Sequence, residues 1–407
     1  MKVLMICNNE ISYNPRLLKA ADFLSEKNVE VVVYNPVLGI GSANVYEQTI
    51  AGKNWRIIEN DLRKNKSSSY RKWAFVSVVH KITSTLWNKF RWKIGFDRYL
   101  NKGLYLNKIN FKEKFDYIYI NLVDNLPFAV KLKRATGAKI IYDSQEYFVG
   151  QYQKYGKNER DWVTEAERKY IHDIDLLIGT TNVMKEKLIE DYNLKIPSFR
   201  LRNVPSRQML SMESNAASLN SGKVYLVWHG MGIYLNNTRG VHILVQALAK
   251  CKSNVALILQ GSLPPDQKII LDGYIQSLGL DGKIIIRPPA EPYAIVASLR
   301  NCDIGLIGEL PQEDNQKLTS SNKLFDYINA GLAVIASDLP GINETVKQYN
   351  VGLSFQPGNV EELASCIDTL ANDPIKLKEY KTRAAAVSER ELFWENDFQH
   401  VWNSISA

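Results

Sequence analysis

The chain alternates short apolar runs with amphipathic segments, and this alternation constrains its fold more than any other feature. An apolar run at Val3–Cys7 is followed by a helical segment from Pro15 to about Lys27, and then by a second apolar run at Val29–Tyr34. Two strands separated by a helix at this spacing indicate a βαβ unit with parallel strands. The sequence therefore predicts an α/β fold built on parallel sheets.

The alternation occurs in two series, which a polar segment separates. A length of 407 residues exceeds what one hydrophobic core usually serves, so two domains are expected. We predict a first domain at 1–205, a linker rich in Ser, Asn and Ala at 206–222, a second domain at 223–382, and a final helical segment at 383–407. Further strands are predicted at Tyr117–Leu122, Lys139–Tyr142, Leu176–Gly179, Ser198–Leu201, Val224–Trp228, Ala256–Gln260, Lys283–Arg287, Ile304–Ile307 and Ala333–Ala336.

The excess positive charge is concentrated in one segment. The formal net charge of the chain is +8, and residues 53–114 hold 16 basic and 4 acidic residues. Within that segment, 71–94 reads as a basic amphipathic helix, which is typical of binding to an anionic membrane surface. The alternative is that its apolar stripe packs on its own domain. Since no nucleic-acid motif accompanies the charge, we expect no nucleic-acid partner. The stripe consists of Trp73, Val76, His80, Thr83, Trp87, Phe90 and Ile94.

The four cysteines are scattered along the chain and form no close pair, which indicates reduced thiols. The opening apolar run is too short for a signal peptide, and no apolar run reaches transmembrane length. We therefore expect a cytoplasmic protein that lies, if the basic segment binds lipid, on the inner face of the cytoplasmic membrane.

The stretch Ser320–Gly331, which runs into Leu332–Gly341, predicts a loop, a short helix and a buried strand. The serines can cap the helix, and Gly331 lies where a left-handed C-terminal cap is needed. Lys323 lies in the first turn, where the helix dipole disfavours a cation, so an anion is expected beside it. Asp326, one turn further on, can accept hydrogen bonds from a diol. A phosphate and a sugar at adjacent positions indicate a nucleotide ligand.

The run Lys323–Ile335 resembles the donor-site signature of GT-B-fold glycosyltransferases, and most of all that of the retaining glycosyltransferases of family four. The resemblance implies two Rossmann-like, doubly wound domains that face each other across a cleft. It also implies transfer of a sugar from a nucleotide-diphosphate sugar to a glycan or lipid-linked acceptor, probable retention at the anomeric carbon, and a role in cell-surface polysaccharide assembly. The lack of a G-x-G-x-x-G motif after the first strand argues against a dinucleotide oxidoreductase.

The resemblance implies a donor site in the second domain. Arg239 and Lys323 would hold the diphosphate, so no metal or other cofactor is required, and Asp326 would hold the ribose. The segment around Arg287 resembles the one whose backbone contacts the nucleobase. The full set of implied donor-binding residues is Gly230, Gly232, Arg239, Gln260, Gly261, Arg287, Ser321, Asn322, Lys323 and Asp326.

In the first domain, Ile140–Phe148 resembles a family turn that lies near the transferred sugar and the acceptor. Its implied catalytic residues are Asp143, Gln145 and Glu146, with a purely structural role as the alternative for Asp143 and Glu146. Asn9 and Arg16 resemble acceptor-side residues near the N-terminus.

Three positions depart from the family pattern. Gln145 stands where the family has a histidine, Leu318 where it often has a first glutamate, and Ile233 where many members have a second arginine. Glutamine can hydrogen-bond a sugar hydroxyl but cannot take a proton. Glu309, Glu313 and Asp314 lie just upstream of Leu318. These departures keep two alternatives open: a nucleotide-sugar epimerase on the same fold, and a non-catalytic nucleotide-sugar-binding subunit.

Overall fold

The computed structural model describes residues 1–37, 43–63, 68–90, 113–151, 163–212, 219, 222–235 and 238–407. The chain divides into two compact units. Unit 1 comprises Met1–Leu201 and Phe398–Ala407, and unit 2 comprises Arg202–Asp397. The boundary at which unit 2 begins, Arg202, lies close to the end of the predicted first domain at residue 205. The boundary at which unit 2 ends is Asp397, whereas the predicted second domain ends at residue 382.

Unit 1 contains a seven-stranded sheet in the order β3-β2-β1-β4-β5-β6-β7, and every neighbouring pair is parallel. Its strands are β1 Lys2–Ile6, β2 Glu30–Val37, β3 Arg56–Asp61, β4 Tyr117–Asn121, β5 Lys139–Ser144, β6 Leu176–Gly179 and β7 Ser198–Arg200. Its helices are α1 Pro15–Glu26, α2 Ala43–Ile50, α3 Ser68–Phe90, α4 Leu126–Thr136, α5 163–170 and α6 Asn182–Tyr192.

Unit 2 contains a six-stranded parallel sheet in the order β10-β9-β8-β11-β12-β13. Its strands are β8 Val224–Gly232, β9 Val255–Ser262, β10 Ile284–Arg287, β11 Ile304–Ile307, β12 Ala333–Ser337 and β13 Gly352–Phe355. Its helices are α7 Arg207–Leu210, α8 Val241–Lys250, α9 Pro265–Ser277, α10 Ile295–Leu299, α11 Asp314–Leu318, α12 Asn322–Asn329, α13 Pro340–Tyr349, α14 Val360–Ala371 and α15 Pro374–Arg390; α16 Trp394–Ser406 begins in unit 2 and ends in unit 1.

The α/β prediction with parallel sheets is confirmed, but two edge strands were not predicted. β3 reads Arg-Ile-Ile-Glu-Asn-Asp and β13 reads Gly-Leu-Ser-Phe, and most of their residues are only partly buried. Both lie at the edge of a sheet, where one side of the strand has no neighbour. An edge strand needs no continuous apolar run, which is the pattern that reveals the fully buried central strands.

Two predicted segments have a different structure. Within the predicted linker at 206–222, residues 207–210 form the helix α7, whose N-cap Ser206 accepts a hydrogen bond from the Met209 amide. The final helical segment predicted at 383–407 is not one helix. It consists of the end of α15 and of α16. The chain leaves α15 because Leu392 is fully buried and its amide turns back to the carbonyl of Val387.

The core of unit 1 contains an acidic side chain, Glu167. It is fully buried, and it accepts hydrogen bonds from the hydroxyls of Tyr142 at 3.1 Å and Tyr192 at 2.9 Å. Burial raises the pKa of Glu167 to about 7, although the two tyrosine hydrogen bonds act in the opposite direction.

This raised pKa predicts that unit 1 loses stability as pH rises. Between about pH 4.5 and 7 the unfolded chain releases the Glu167 proton while the folded chain retains it, so the free energy of unfolding falls by about 3 kcal/mol over that window. Glu167→Gln, which is neutral at every pH, is expected to remove this fall. Hydrogen exchange of β5 amides in the full chain, at a series of pH values, measures how the free energy of unfolding depends on pH. Glu190→Gln, at an exposed glutamate, is the control. An equally steep fall in Glu167→Gln would contradict the prediction.

Candidate functional site

The candidate donor site lies in unit 2, where the strand order reverses. β8 is followed along the chain by β9 and β10 on one side, whereas β11, β12 and β13 lie on the other. The carboxyl ends of β8 and β11 therefore flank the crevice in which open α/β sheets bind ligands. His229 and Gly230 lie near the end of β8, and Gly308 and Glu309 directly follow β11.

Lys323 is the central side chain of this site. It lies in the first turn of α12, whose first amides have no acceptor within the helix, and its side chain is only 9% exposed. Its Nζ lies 3.4 Å from Glu309 Oε1, 3.3 Å from Ser321 Oγ and 5.7 Å from the centre of the Trp228 ring. A buried cation at a helix N-terminus, where the dipole disfavours positive charge, can bind an anion together with the first amides of α12.

Glu309 joins the two predicted phosphate-binding cations. One of its carboxylate oxygens lies 3.0 Å from Arg239 NH1 as well as 3.4 Å from Lys323 Nζ. Burial lowers the pKa of Lys323, and the negative charge of Glu309 acts against this. Burial alone would raise the pKa of Glu309, but Lys323 and Arg239 outweigh it and hold that pKa below its usual range. The sequence marked Glu309 only as one of three acidic residues upstream of Leu318.

Asp326 has a partner that the sequence did not reveal. Its Oδ2 lies 3.3 Å from His229 Nε2, without the alignment of a hydrogen bond, and both side chains are largely buried. The ring of His229 packs edge-on against Tyr327, and the His229 amide donates to the Tyr327 hydroxyl. His229 lies in the last part of β8, and its position directly before Gly230 is the one signal that could have marked it.

The glycines of the site allow close contacts between backbone segments. Gly240, the N-cap of α8, has a φ of +70°, and a Cβ there would lie 1.7 Å from the carbonyl oxygen of Gly308. A Cβ at Gly261 would lie 2.6 Å from the carbonyl oxygen of Gly230. Because glycine has no Cβ, the turn before α8 can lie against the end of β11, and the end of β9 can lie against the end of β8. Gly232, the last residue of β8, lies beside the Tyr234 ring.

The other predicted residues of unit 2 are placed as follows. Gly331 has the expected left-handed conformation, with φ at +76°. Ser321 occupies the N-cap of α12, but its side chain makes no capping hydrogen bond, because its hydroxyl faces Lys323 and Glu309 instead. Asn322 is exposed. Gln260 donates to the Ser298 hydroxyl, and Arg287 lies 3.4 Å from the Ser298 carbonyl and the Asn301 side chain, which places both against α10.

In unit 1, two residues for which the sequence predicted separate roles bind each other. Arg16 makes two 2.7 Å hydrogen bonds to the carboxylate of Asp143 and a third to the carbonyl of Leu201. The hydroxyl of Tyr119 also donates to Asp143. The Asp143 side chain is 1% exposed and that of Arg16 is 5% exposed. The catalytic role of Asp143 and the acceptor-side role of Arg16 stay predictions, but this geometry favours a structural role, because the two buried side chains neutralise each other and link the ends of β5 and α1.

The remaining predicted residues of unit 1 lie at the carboxyl ends of the strands. Gln145 directly follows β5, and its Nε2 has no hydrogen-bond partner among the residues that the structure describes. Glu146 is half-buried and Asn9, after β1, is exposed. Leu122, which follows β4, has a φ of +67°, a strained conformation that is typical of functional sites. Gln145 thus offers an amide donor at this edge of the sheet.

The basic amphipathic segment forms α3, but its exposed apolar face is not the predicted one. Thr83 is buried and Trp73 is half-buried, whereas Phe75, Val78 and Ile82 are 70%, 57% and 54% exposed. Where its members are described, the predicted stripe thus packs inward. The side chains of Val76, His80, Trp87 and Phe90, together with residues 91–94, lie outside the described part of the chain.

Within the described ranges, no helix is long and apolar enough to cross a membrane. Those ranges also contain no group of three or more His, Cys, Asp or Glu side chains arranged to hold a metal ion.

Part of unit 2 is similar to a known protein family. Residues 223–373 match the family described as Glycosyl transferases group 1. No curated protein sequence matches the chain significantly.

Solved structures show the same fold over the whole chain. A glycosyltransferase from Rickettsia africae ESF-5 is 14% identical with a TM-score of 0.67, and the match covers 100% of this chain and 97% of that one. HepE from Anabaena in complex with UDP is 15% identical, with a TM-score of 0.66 and full coverage of both chains. A mutant of TarM from S. aureus, in complex with Fondaparinux, α-GlcNAc-glycerol and UDP, is 10% identical with a TM-score of 0.62, and the match covers 100% of each chain.

The two parallel sheets of seven and six strands and these structural matches confirm the prediction of a GT-B fold. The matched domain confirms the predicted resemblance to glycosyltransferases.

Proposed function

We propose that this GT-B protein, which carries a glycosyl transferases group 1 domain, transfers a sugar from a nucleotide-diphosphate sugar to a glycan or lipid-linked acceptor with retention. The observation that carries the proposal is the buried Lys323 at the N-terminus of α12, joined through Glu309 to Arg239 at the carboxyl edge of a parallel sheet. HepE and TarM were solved with UDP, and TarM also with α-GlcNAc-glycerol, which supports a nucleotide-sugar donor and a glycan acceptor.

In the proposed reaction, Lys323, Arg239 and the first amides of α12 bind the diphosphate of the donor. As the bond between the anomeric carbon and the phosphate oxygen breaks, negative charge develops on the diphosphate, and these preorganised donors stabilise it. Two side-chain cations supply the charge that a divalent metal supplies elsewhere, so we propose that no metal is required. Asp326 accepts hydrogen bonds from the ribose.

The acceptor hydroxyl forms the new bond to the anomeric carbon on the face that the diphosphate leaves. Gln145 cannot accept a proton, so the proton of the acceptor passes to an oxygen of the departing diphosphate, which is consistent with retention. The free Nε2 of Gln145 can donate to a sugar hydroxyl. Glu146 and the exposed Asn9 complete the proposed set in unit 1. We propose that this reaction takes part in cell-surface polysaccharide assembly.

A panel of radiolabelled nucleotide sugars, offered with and without a lipid extract, tests this function. We expect release of nucleoside diphosphate together with label in a glycan or lipid product. An epimerised sugar without release would favour the epimerase alternative. Nucleotide binding with neither product would favour the non-catalytic subunit.

We also propose that α3 binds an anionic membrane surface, where a lipid-linked acceptor would lie. Phe75, Val78 and Ile82 share one exposed helix face, with the exposed Arg71 and Lys89 at its two ends. An exposed apolar face flanked by basic residues, in a segment with a large positive charge, complements anionic lipid. This surface would hold the protein on the inner face of the cytoplasmic membrane.

Replacing Phe75 and Ile82 by serine is expected to weaken binding to phosphatidylglycerol-containing vesicles at least about tenfold, because the apolar contact area is lost. Vesicle sedimentation measures this. Serine at Ile269 and Ile270, exposed apolar residues of unit 2, is the matched control. If the parent fails to sediment, or if the Phe75 and Ile82 double variant sediments as well as the parent, α3 is not a membrane-binding surface.

A further inference from the structure

Glu309 forms the negative centre of the candidate donor site. It follows β11 by two residues, its side chain is 12% exposed, and it lies between Arg239 and Lys323. The Ser321 hydroxyl, which accepts a hydrogen bond from Lys323 Nζ, helps to lower the pKa of this carboxylate. No residue of the family pattern was assigned to this position, since the expected first glutamate falls at Leu318. Leu318 is the last residue of α11, and the carbonyl oxygen of Leu318 lies against Gly341.

The charge balance of the site depends on Glu309. The side chain of Lys323 is almost entirely buried, and a buried ammonium group without a counter-ion is strongly destabilised. In the absence of nucleotide, Glu309 provides this counter-charge. A diphosphate that binds to Lys323 and Arg239 brings at least two negative charges to the same two cations. The carboxylate and the diphosphate therefore compete for one pair of positive groups.

We propose that Glu309 is a built-in counter-ion that the diphosphate displaces from Lys323 and Arg239 on binding, and that returns to them when the nucleoside diphosphate leaves. The proposal rests on the proposed function, since it assumes that these two cations hold the donor diphosphate. By keeping the empty site electrically balanced, Glu309 weakens product retention and speeds turnover.

Displacement of Glu309 by the diphosphate should also change the protonation of its carboxylate. The groups that face Glu309 are Lys323, Ser321 and Arg239, and the Asp326–His229 pair lies one helical turn from Lys323. When the diphosphate takes both cations, Glu309 stays buried beside a new negative charge, and both effects favour its neutral form. Nucleoside diphosphate binding should therefore take up a proton at Glu309 and weaken as pH rises.

Calorimetric titration of UDP, with GDP and ADP in parallel, tests the proposal. Measurements above pH 7.5 avoid the second ionisation of the terminal phosphate, near pH 6. We expect Glu309→Gln to bind the preferred nucleotide about tenfold or more tightly and to lose the proton uptake seen with the parent. Glu309→Asp, which keeps the charge, should keep the uptake. Asp314→Asn, at the half-exposed first residue of α11, is the control.

Kinetics provide a second readout. Glu309→Gln should turn over more slowly at steady state because product release is slowed, and a burst of product in the first turnover should precede this slow rate. Equal or weaker nucleotide binding by a folded Glu309→Gln, or unchanged proton uptake, would overturn the proposal. If the parent binds none of the three nucleotides, the proposed function fails instead, so the two failures are distinguishable.

Discussion

Lys323→Met is expected to weaken nucleoside diphosphate binding about 100-fold or more, the largest functional effect that the structure predicts. The substitution removes a buried cation from the anion site, and losing one member of a buried charge pair costs about 2–5 kcal/mol. It also leaves the negative charge of Glu309 beside the incoming phosphates with only Arg239 of its two cationic partners. Calorimetric titration of the parent and variant with the same nucleotide measures the effect.

Lys317→Met provides the matched control for this measurement. Lys317 lies in α11, just before the loop that leads to α12, and its half-exposed side chain pairs only with Asp314 one turn away among the described residues. Its loss should change binding by less than about threefold, since exposed ion pairs contribute little. If Lys323→Met and Lys317→Met bind the nucleotide equally well, Lys323 does not hold the diphosphate and the site assignment is wrong.

Arg16→Leu is expected to destabilise unit 1 by about 3–5 kcal/mol, because it leaves the carboxylate of Asp143 buried without its cation. The same change removes the hydrogen bond to the Leu201 carbonyl. Hydrogen exchange of β1 and β5 amides in the full chain measures the free energy of opening. The double variant Arg16→Leu with Asp143→Asn should recover about 2 kcal/mol or more of this loss, since no buried charge then remains.

Stability and activity measured together on these variants, and on Asp143→Asn alone, decide between the two roles considered for Asp143. A positioning role predicts that stability and activity fall together, and that the double variant recovers part of both. A catalytic role predicts normal amide protection in Asp143→Asn with activity abolished. That second outcome would contradict the structural role drawn from the burial of Asp143.

Much of the donor site could be read from the sequence because its residues are close together along the chain. Ser321, Lys323 and Asp326 lie on one short helix, and Gly331 ends it with the expected left-handed conformation. The contacts of the charged residues could not be read in this way. Glu309 meets Arg239 across 70 positions, and Arg16 meets Asp143 across 127.

The same distinction applies to unit 1 and to α3. Arg16 and Asp143 stand in motifs that resemble substrate-binding segments, and only their burial together shows that they neutralise each other. For α3 the sequence predicted a helix, which the structure contains at Ser68–Phe90. Apolar residues occur on more than one face of that helix, so periodicity alone did not show that Phe75, Val78 and Ile82 are the ones left exposed.

By itself, the sequence determined the parallel α/β architecture, the positions of the buried strands and the helix that carries Lys323, because hydrophobic periodicity and helix termini are local properties. The tertiary structure decided which charges neutralise one another, because the strand order places the carboxyl ends of β8 and β11 side by side although 71 residues separate Gly232 from Ile304. That order makes Glu309 the partner of both cations and His229 the neighbour of Asp326.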